Sequence, residues 1–388
     1  MTAYPKMTAE EWKAEYAEVT REYEELKARG LNLNMARGKP GKAQLDLVSD
    51  IFSLMQKTED YVSDGVDVRN YGELSGLPAA KRLFAEILGC RPEQVFVGGN
   101  ASLQLMYDTV SKAYTHGMLH SPRPWCKEEK IKWLCPSPGY DRHFKVTESF
   151  GFELITVPMT EEGPDMDVVE QLIQDPAVKG MWNVPKYSNP DGIIYSEETV
   201  RRLAAMKPAA PDFLLMWDNA YCIHEFDGPF VPFPDILSLC EEYGNGDMPF
   251  EFASTSKVTM PGAGVACFAC STANMEYMKK LLDIQIISFD KVNQLRHVRY
   301  FGDIHGMVEH MRKHADILRP KFEAVIDTLE RELGGLGIGT WTKPKGGYFI
   351  AFDSLDGCAK AIVARCKKAG LVMTGAGATY PYGKDPKD

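Results

Sequence analysis

The chain has 388 residues, 44% of them hydrophobic and 25% charged, with a formal net charge of −10. This composition is that of a globular protein, and the acidic balance excludes a nucleic-acid binder that works by neutralising phosphates. No apolar run reaches the ~18 residues of a membrane span. The N-terminal MTAYPKMTAEEWK lacks a secretory apolar core, and nine scattered cysteines read as reduced thiols, so a cytoplasmic protein with no membrane partner is expected.

Residues 8–29 read as a helix, with Thr8 and Glu11 forming a capping box and Gly30 as the stop. An irregular segment, LNLNMARGKPG, follows at 31–41, and two Gly-rich turns lie in RNYGELSGLPAAKR at 69–82. QVFVGG (94–99) reads as a strand and ASLQLMYDTVSKAY (101–114) as a helix. Further strands are expected in IKWLC (131–135), FELITVPM (152–159), GMWNV (180–184), FLLMW (213–217), FEFAS (250–254) and GVACFAC (264–270). Several are almost wholly apolar, as strands covered on both faces must be.

Strands alternating with helices indicate an α/β fold with a mostly parallel sheet. After residue 296 the pattern changes to one long helix (298–333), strands around WTKPKGGYFIAFD (341–353) and a helix at 357–369, which suggests a smaller α+β domain. The expected division is an N-terminal helix and arm at 1–45 that joins the small domain, a large domain at 46–295, and a C-terminal small domain at 296–388. The final GAGATYPYGKDPKD shows no closing element and reads as an exposed polar terminus or as the edge of a longer chain.

In an open parallel sheet, ligands sit beyond the carboxyl ends of the strands. Four strand candidates are followed there by polar groups: Asn100-Ala101-Ser102 at a helix start, Asn189 in SNPDG, Asp218 and Tyr221 in DNAY, and Lys257 in STSK. Each alone has an ordinary reading. Asp218 suits an N-cap, Asn189 a turn, Lys257 a solvated loop, and Tyr71 and Tyr140 partly buried packing. Together they supply an amine able to form a Schiff base, a carboxylate for a pyridine nitrogen, hydrogen-bond donors for a ring oxygen, and a helix N-terminus for a phosphate.

SNPDG, DNAY, STSK and YGELSGLPAAK occur in the order seen in the aspartate aminotransferase superfamily, whose members are pyridoxal-phosphate (PLP) enzymes of fold type I. The chain resembles that family from about residue 30 onward. Asn189 and Asp218 are 29 residues apart, and Asp218 and Lys257 are 39 apart, close to the family's spacing. LNMARGKP and STSK…GAGV bring it nearest to a divergent bacterial aspartate aminotransferase subgroup.

The resemblance implies a seven-stranded-type large-domain sheet and a set of roles. Lys257 holds PLP as a Schiff base and shuttles a proton. Asp218 pairs with the pyridine nitrogen, and Asn189 and Tyr221 bind the ring oxygen. Ser254 and Asn100-Ala101-Ser102 bind the phosphate, Tyr140 stacks on the ring, and Gly38 lies near the substrate carboxylate, where Asn189 also contributes. Tyr71 reaches the cofactor of a neighbouring subunit, which implies a homodimer.

Aspartate is the expected amino donor and 2-oxoglutarate the acceptor. The same cofactor residues suit a PLP lyase or decarboxylase, and a non-catalytic PLP-binding sensor is a third reading.

Three departures from the family pattern stand out. VTMPGAGVAC after Lys257 carries no arginine, IQIISFDKVNQ (284–294) carries none, and Arg365 is the last arginine of the sequence. His310 and His314 share a helix face, but no HEXXH is present, so a solvated face is expected and no metal. Cys267 and Cys270 form a CxxC inside an apolar strand and read as core. His224 reads equally as a site residue or as packing.

Overall fold

The computed structural model describes residues 3–36 and 38–388; Arg37, within the ARGKP segment, lies outside the described residues. Its centre is one sheet. In chain order the strands are β1 (Val95–Val97), β2 (Lys132–Ser137), β3 (Glu153–Thr160), β4 (Gly163–Pro164), β5 (Val178–Asn183), β6 (Leu214–Asp218), β7 (Pro249–Ser254) and β8 (Ala266–Ala269). Their spatial order is β1-β8-β7-β6-β5-β2-β3-β4. The pairs from β7 through β6, β5 and β2 to β3 are parallel, while β8 runs antiparallel to both β1 and β7. Every expected strand of this sheet is present, and the two-residue β4 adds an eighth at the edge.

The apolar runs form strands because both faces are covered. Leu215 and Trp217 enter one core together with Val97, Met181 and Cys267. Their neighbours Leu214 and Met216 enter the opposite core with Trp133, Trp182, Phe250, Phe252 and Phe268. A period of two thus persists inside a run with no polar residue to mark it. Fully burying a side chain of this size contributes roughly 1.5–3 kcal/mol. Cys267 and Cys270 belong to this interior, and all nine cysteines are free thiols.

The remaining elements pack around the sheet. The N-terminal helix Ala9–Ala28 has the expected box, with Thr8 and Glu11 capping each other. Leu33–Asn34 pairs in parallel with Leu371–Val372, and Tyr23 Oη donates to the Arg365 carbonyl at 3.0 Å, so the N-terminal arm joins the C-terminal elements. Gly339–Trp341 pairs antiparallel with Phe352–Ser354.

Two expectations need correction. The helix expected at 298–333 is two helices, Lys291–Phe301 and Ile304–Leu333. Gly302 takes φ +75°, which ends the first, and the Asp303 carboxylate accepts from Gly306 N–H to start the second. The polar terminal segment is not simply exposed: Pro381 is buried, and the Tyr382 hydroxyl accepts from Leu154 N–H at 2.8 Å. No helix among the described residues is long and apolar enough to cross a membrane.

Candidate active site

β6 ends in Asp218, which is buried. One of its oxygens, Oδ2, lies 3.0 Å from His143 Nε2. The His143 ring stacks on Trp182 with centroids 4.5 Å apart, which fixes its direction. The other oxygen, Oδ1, is buried without a partner. A buried acceptor left unpaired costs roughly 1–3 kcal/mol, more when charged, so this atom suits a cationic donor from a ligand. A protonated pyridine nitrogen has that chemistry.

Lys257 follows β7 and stands on the same side of the sheet. Its Nζ lies 4.8 Å from the centroid of the Tyr221 ring. Burial lowers the affinity of its amine for a proton, while the Asp218 charge partly restores it. The net effect moves the amine toward the neutral form, the form that attacks a carbonyl. Tyr221 is held well above its ordinary value, first by burial and then by Asp218, so it stays a neutral donor. His224 is only 2% exposed, and neither ring nitrogen has a partner. Its ring sits between Tyr221 and Tyr348, at 5.5 and 6.0 Å. Burial and then the Lys257 charge keep it neutral.

The helix Ser102–His116 begins without a side-chain cap, because Ala101 has no acceptor to offer. Its first N–H groups are therefore available to an anion. Beside it the Ser256 hydroxyl donates to the Asn100 carbonyl at 3.0 Å, and Ser256 N–H reaches Ser254 Oγ at 3.4 Å. Asn100, Ala101, Ser102 and Ser254 thus gather at one place, as a phosphate cradle would require. Ser256 belongs with them and was not singled out from the sequence, although it sits inside the STSK motif.

Tyr140 and Asn189 line one narrow cavity with His143 and Trp182. The loop bearing Asn189 closes through Gly192 N–H to the Ser188 carbonyl at 2.7 Å. It is anchored by Lys186, whose buried ammonium pairs with Glu225 and donates to the carbonyls of Cys222 and Val231, both at 2.8 Å. Gly38 lies against the C-terminal segment: a Cβ at this position would stand 2.7 Å from Phe349 Cζ and 2.9 Å from Tyr348 Cβ. Tyr71 is 77% exposed.

The expectation of a solvated face for His310 and His314 is overturned. Both are buried, with their Nε2 atoms 3.0 Å apart, because this face of the helix packs on the segment after Lys257 and on Gln44.

Comparison with known proteins agrees with this geometry. The sequence profile of the family described as "Aspartate amino-transferase" matches residues 7–388. An aspartate aminotransferase of Corynebacterium glutamicum is 46% identical over 373 residues, covering 96% of this chain and 86% of that protein. A crystal structure of an aspartate transaminase from C. glutamicum superposes with a TM-score of 0.97 at 45% identity, covering 100% of this chain and 91% of that one. The α-aminoadipate aminotransferase of Thermus thermophilus, solved with N-(5'-phosphopyridoxyl)-L-leucine, superposes with a TM-score of 0.74 over 93% of this chain and 87% of its own. Its 21% identity supports the shared fold alone. The chain therefore belongs to the aspartate aminotransferase family, within the fold type I PLP-dependent aminotransferases.

Proposed function

We propose that the protein moves an amino group from aspartate to 2-oxoglutarate, using pyridoxal phosphate carried on Lys257. The observation that carries the cofactor assignment is the buried, unpartnered Oδ1 of Asp218 on the same side of the sheet as the Lys257 amine, whose affinity for a proton is lowered by burial. Aspartate is favoured by the name of the C. glutamicum relative.

When bound, the cofactor supplies an electron sink for negative charge developing at the substrate Cα. Asp218 keeps the ring nitrogen protonated, and His143 holds Asp218 in place. Asn189 and Tyr221 hydrogen-bond the ring oxygen, and Tyr140 covers the ring face. Asn100, Ala101, Ser102 and Ser254 hold the phosphate, joined by Ser256. With the cofactor bound, the Lys257 amine would take the proton from the substrate Cα and hold it for return. Gly38 and Asn189 flank the substrate carboxylate.

Residues 46–295 form the cofactor-binding domain in this reading. A homodimer completes the site: exposed Tyr71 reaches the neighbouring cofactor, and exposed Phe52, Ile284 and Ile287 are available for the contact.

The test is an amino-donor panel with bleaching of the visible cofactor band as readout. Aspartate should bleach the band and give an oxo acid dependent on 2-oxoglutarate. Release of CO₂ or ammonia without an acceptor would overturn transamination, as would a Lys257→Ala protein that still turns over aspartate.

A further inference from the structure

A buried polar chain starts at the carbonyl of Val258, the residue after Lys257. The Val258 carbonyl lies 2.8 Å from His310 Nε2, and His310 Nε2 lies 3.0 Å from His314 Nε2. On its far side, His314 Nδ1 is 2.9 Å from Gln44 Nε2, and the same Nε2 donates to the Tyr348 hydroxyl at 2.9 Å. The direction of the Gln44 amide is set by Gly41 N–H, which donates to Oε1 at 3.0 Å.

That orientation assigns the protons. Gln44 Nε2 has only hydrogens to offer, so His314 Nδ1 accepts and the neutral ring carries its proton on Nε2. His310 Nε2 also carries one and donates it to the Val258 carbonyl, and the His314 Nε2–H lies beside that pair. Burial keeps each imidazole neutral, His314 down to about 4 and His310 below its ordinary value, while the Val258 carbonyl pulls the other way on both.

The chain joins four separate stretches of sequence. Gln44 is 270 residues from His314 and 304 from Tyr348. Gln44 stands just past Gly38 on the N-terminal arm, and Gly38 itself packs on Tyr348 and Phe349. The Tyr348 ring also faces the Tyr221 ring at 6.3 Å.

We propose that Gln44, His314 and His310 are positioning residues for Lys257, tying the carbonyl of its neighbour Val258 to the Tyr348 hydroxyl and the N-terminal arm. The amine is then aimed correctly only when both substrate-flanking segments are seated. This rests on the reading of Lys257 as the cofactor-bearing amine. The groups that face that amine, Asp218, Tyr221 and His224, are left untouched by the variants that test the relay.

Gln44→Leu and Tyr348→Phe each remove one side of the same hydrogen bond in the cofactor-loaded protein. Each should lower kcat about five- to tenfold with KM changed less than about threefold. Each should also move the pH midpoint of the visible cofactor band in the same direction. The double variant should match the worse single one instead of multiplying the two losses, because both cut one chain.

Unchanged midpoints and kcat would overturn the relay, even with a lowered unfolding temperature, since a purely structural role moves only stability. Multiplicative losses in the double variant would overturn it too. A wild type that shows the visible band but transfers no amino group would refute the transaminase reading, and the band's titration would still decide the relay.

Discussion

His143 Nε2 stands 3.0 Å from one oxygen of Asp218, while the other oxygen is buried with no polar atom in reach. The two halves of this carboxylate have different tasks, and substitutions separate them. On the proposed function, Asp218→Asn removes the charge that would hold a ring nitrogen protonated and should lower kcat by about 10²–10³. His143→Phe keeps a ring against Trp182 and loses only the orienting bond, so a drop of about five- to tenfold is expected. Steady-state assays at saturating cofactor distinguish these. Equal losses would mean that His143 itself acts on the ligand.

The sheet and the edge at which these polar groups gather were legible because both rest on local signals. Strands buried on both faces are short apolar runs, and the groups that follow them must lie at one edge of a parallel sheet. His143 was not legible, because its role depends on Trp182, on a different strand, turning the imidazole toward Asp218. For His310 and His314 the spacing showed a shared face but not whether that face is wet. The deciding partner, Gln44, is 270 residues from His314. Gly302 illustrates the same limit: a glycine within a helical pattern is tolerated or terminating according to the φ that its surroundings impose.

Gly38 offers a test of the substrate side. A Cβ there would meet Phe349 Cζ at 2.7 Å and Tyr348 Cβ at 2.9 Å, closer than packed atoms approach. Gly38→Val should push the arm away from the C-terminal segment. KM for the amino donor is expected to rise tenfold or more while the visible cofactor band persists, because the phosphate and ring contacts lie elsewhere. Loss of the band with KM unchanged would show that Gly38 serves the cofactor.

Ser256 should act on affinity instead of chemistry. Its hydroxyl is committed to the Asn100 carbonyl, at the foot of an uncapped helix. Ser256→Ala loosens that turn and should weaken cofactor retention about fivefold, with kcat at saturating pyridoxal phosphate within about twofold of wild type. Dialysis followed by titration of the visible band measures this. A fall in kcat at full occupancy would place Ser256 in the reaction instead.

Glu251 makes the pH dependence of stability testable. It lies buried in β7 and accepts from Asn219 Nδ2 at 3.0 Å, while Glu251 Oε2 and Asn219 Oδ1 both lack partners. A protonated Glu251 carries no charge and offers the donor that the Asn219 oxygen lacks. Burial raises its pKa from 4.5 to about 8; the Asn219 bond opposes this, Asp235 adds slightly, and the buried thiols of Cys90, Cys222 and Cys267 are neutral in this range. Because the folded value lies above the unfolded one, this site imposes no cost below pH ~4.5, where both states are protonated. The cost grows as pH rises toward about 8 and levels off above it, reaching about 4–5 kcal/mol at about 1.4 kcal/mol per pH unit. Glu251→Gln stays neutral and can both donate and accept, so it should match wild type near pH 4.5 and exceed it by a few kcal/mol at pH ~8.5. Denaturant unfolding of both proteins at the two pH values reads the difference directly. A variant that is no more stable than wild type at the higher pH would mean that Glu251 ionises in the fold near its ordinary value, so that its ionisation carries no burial cost.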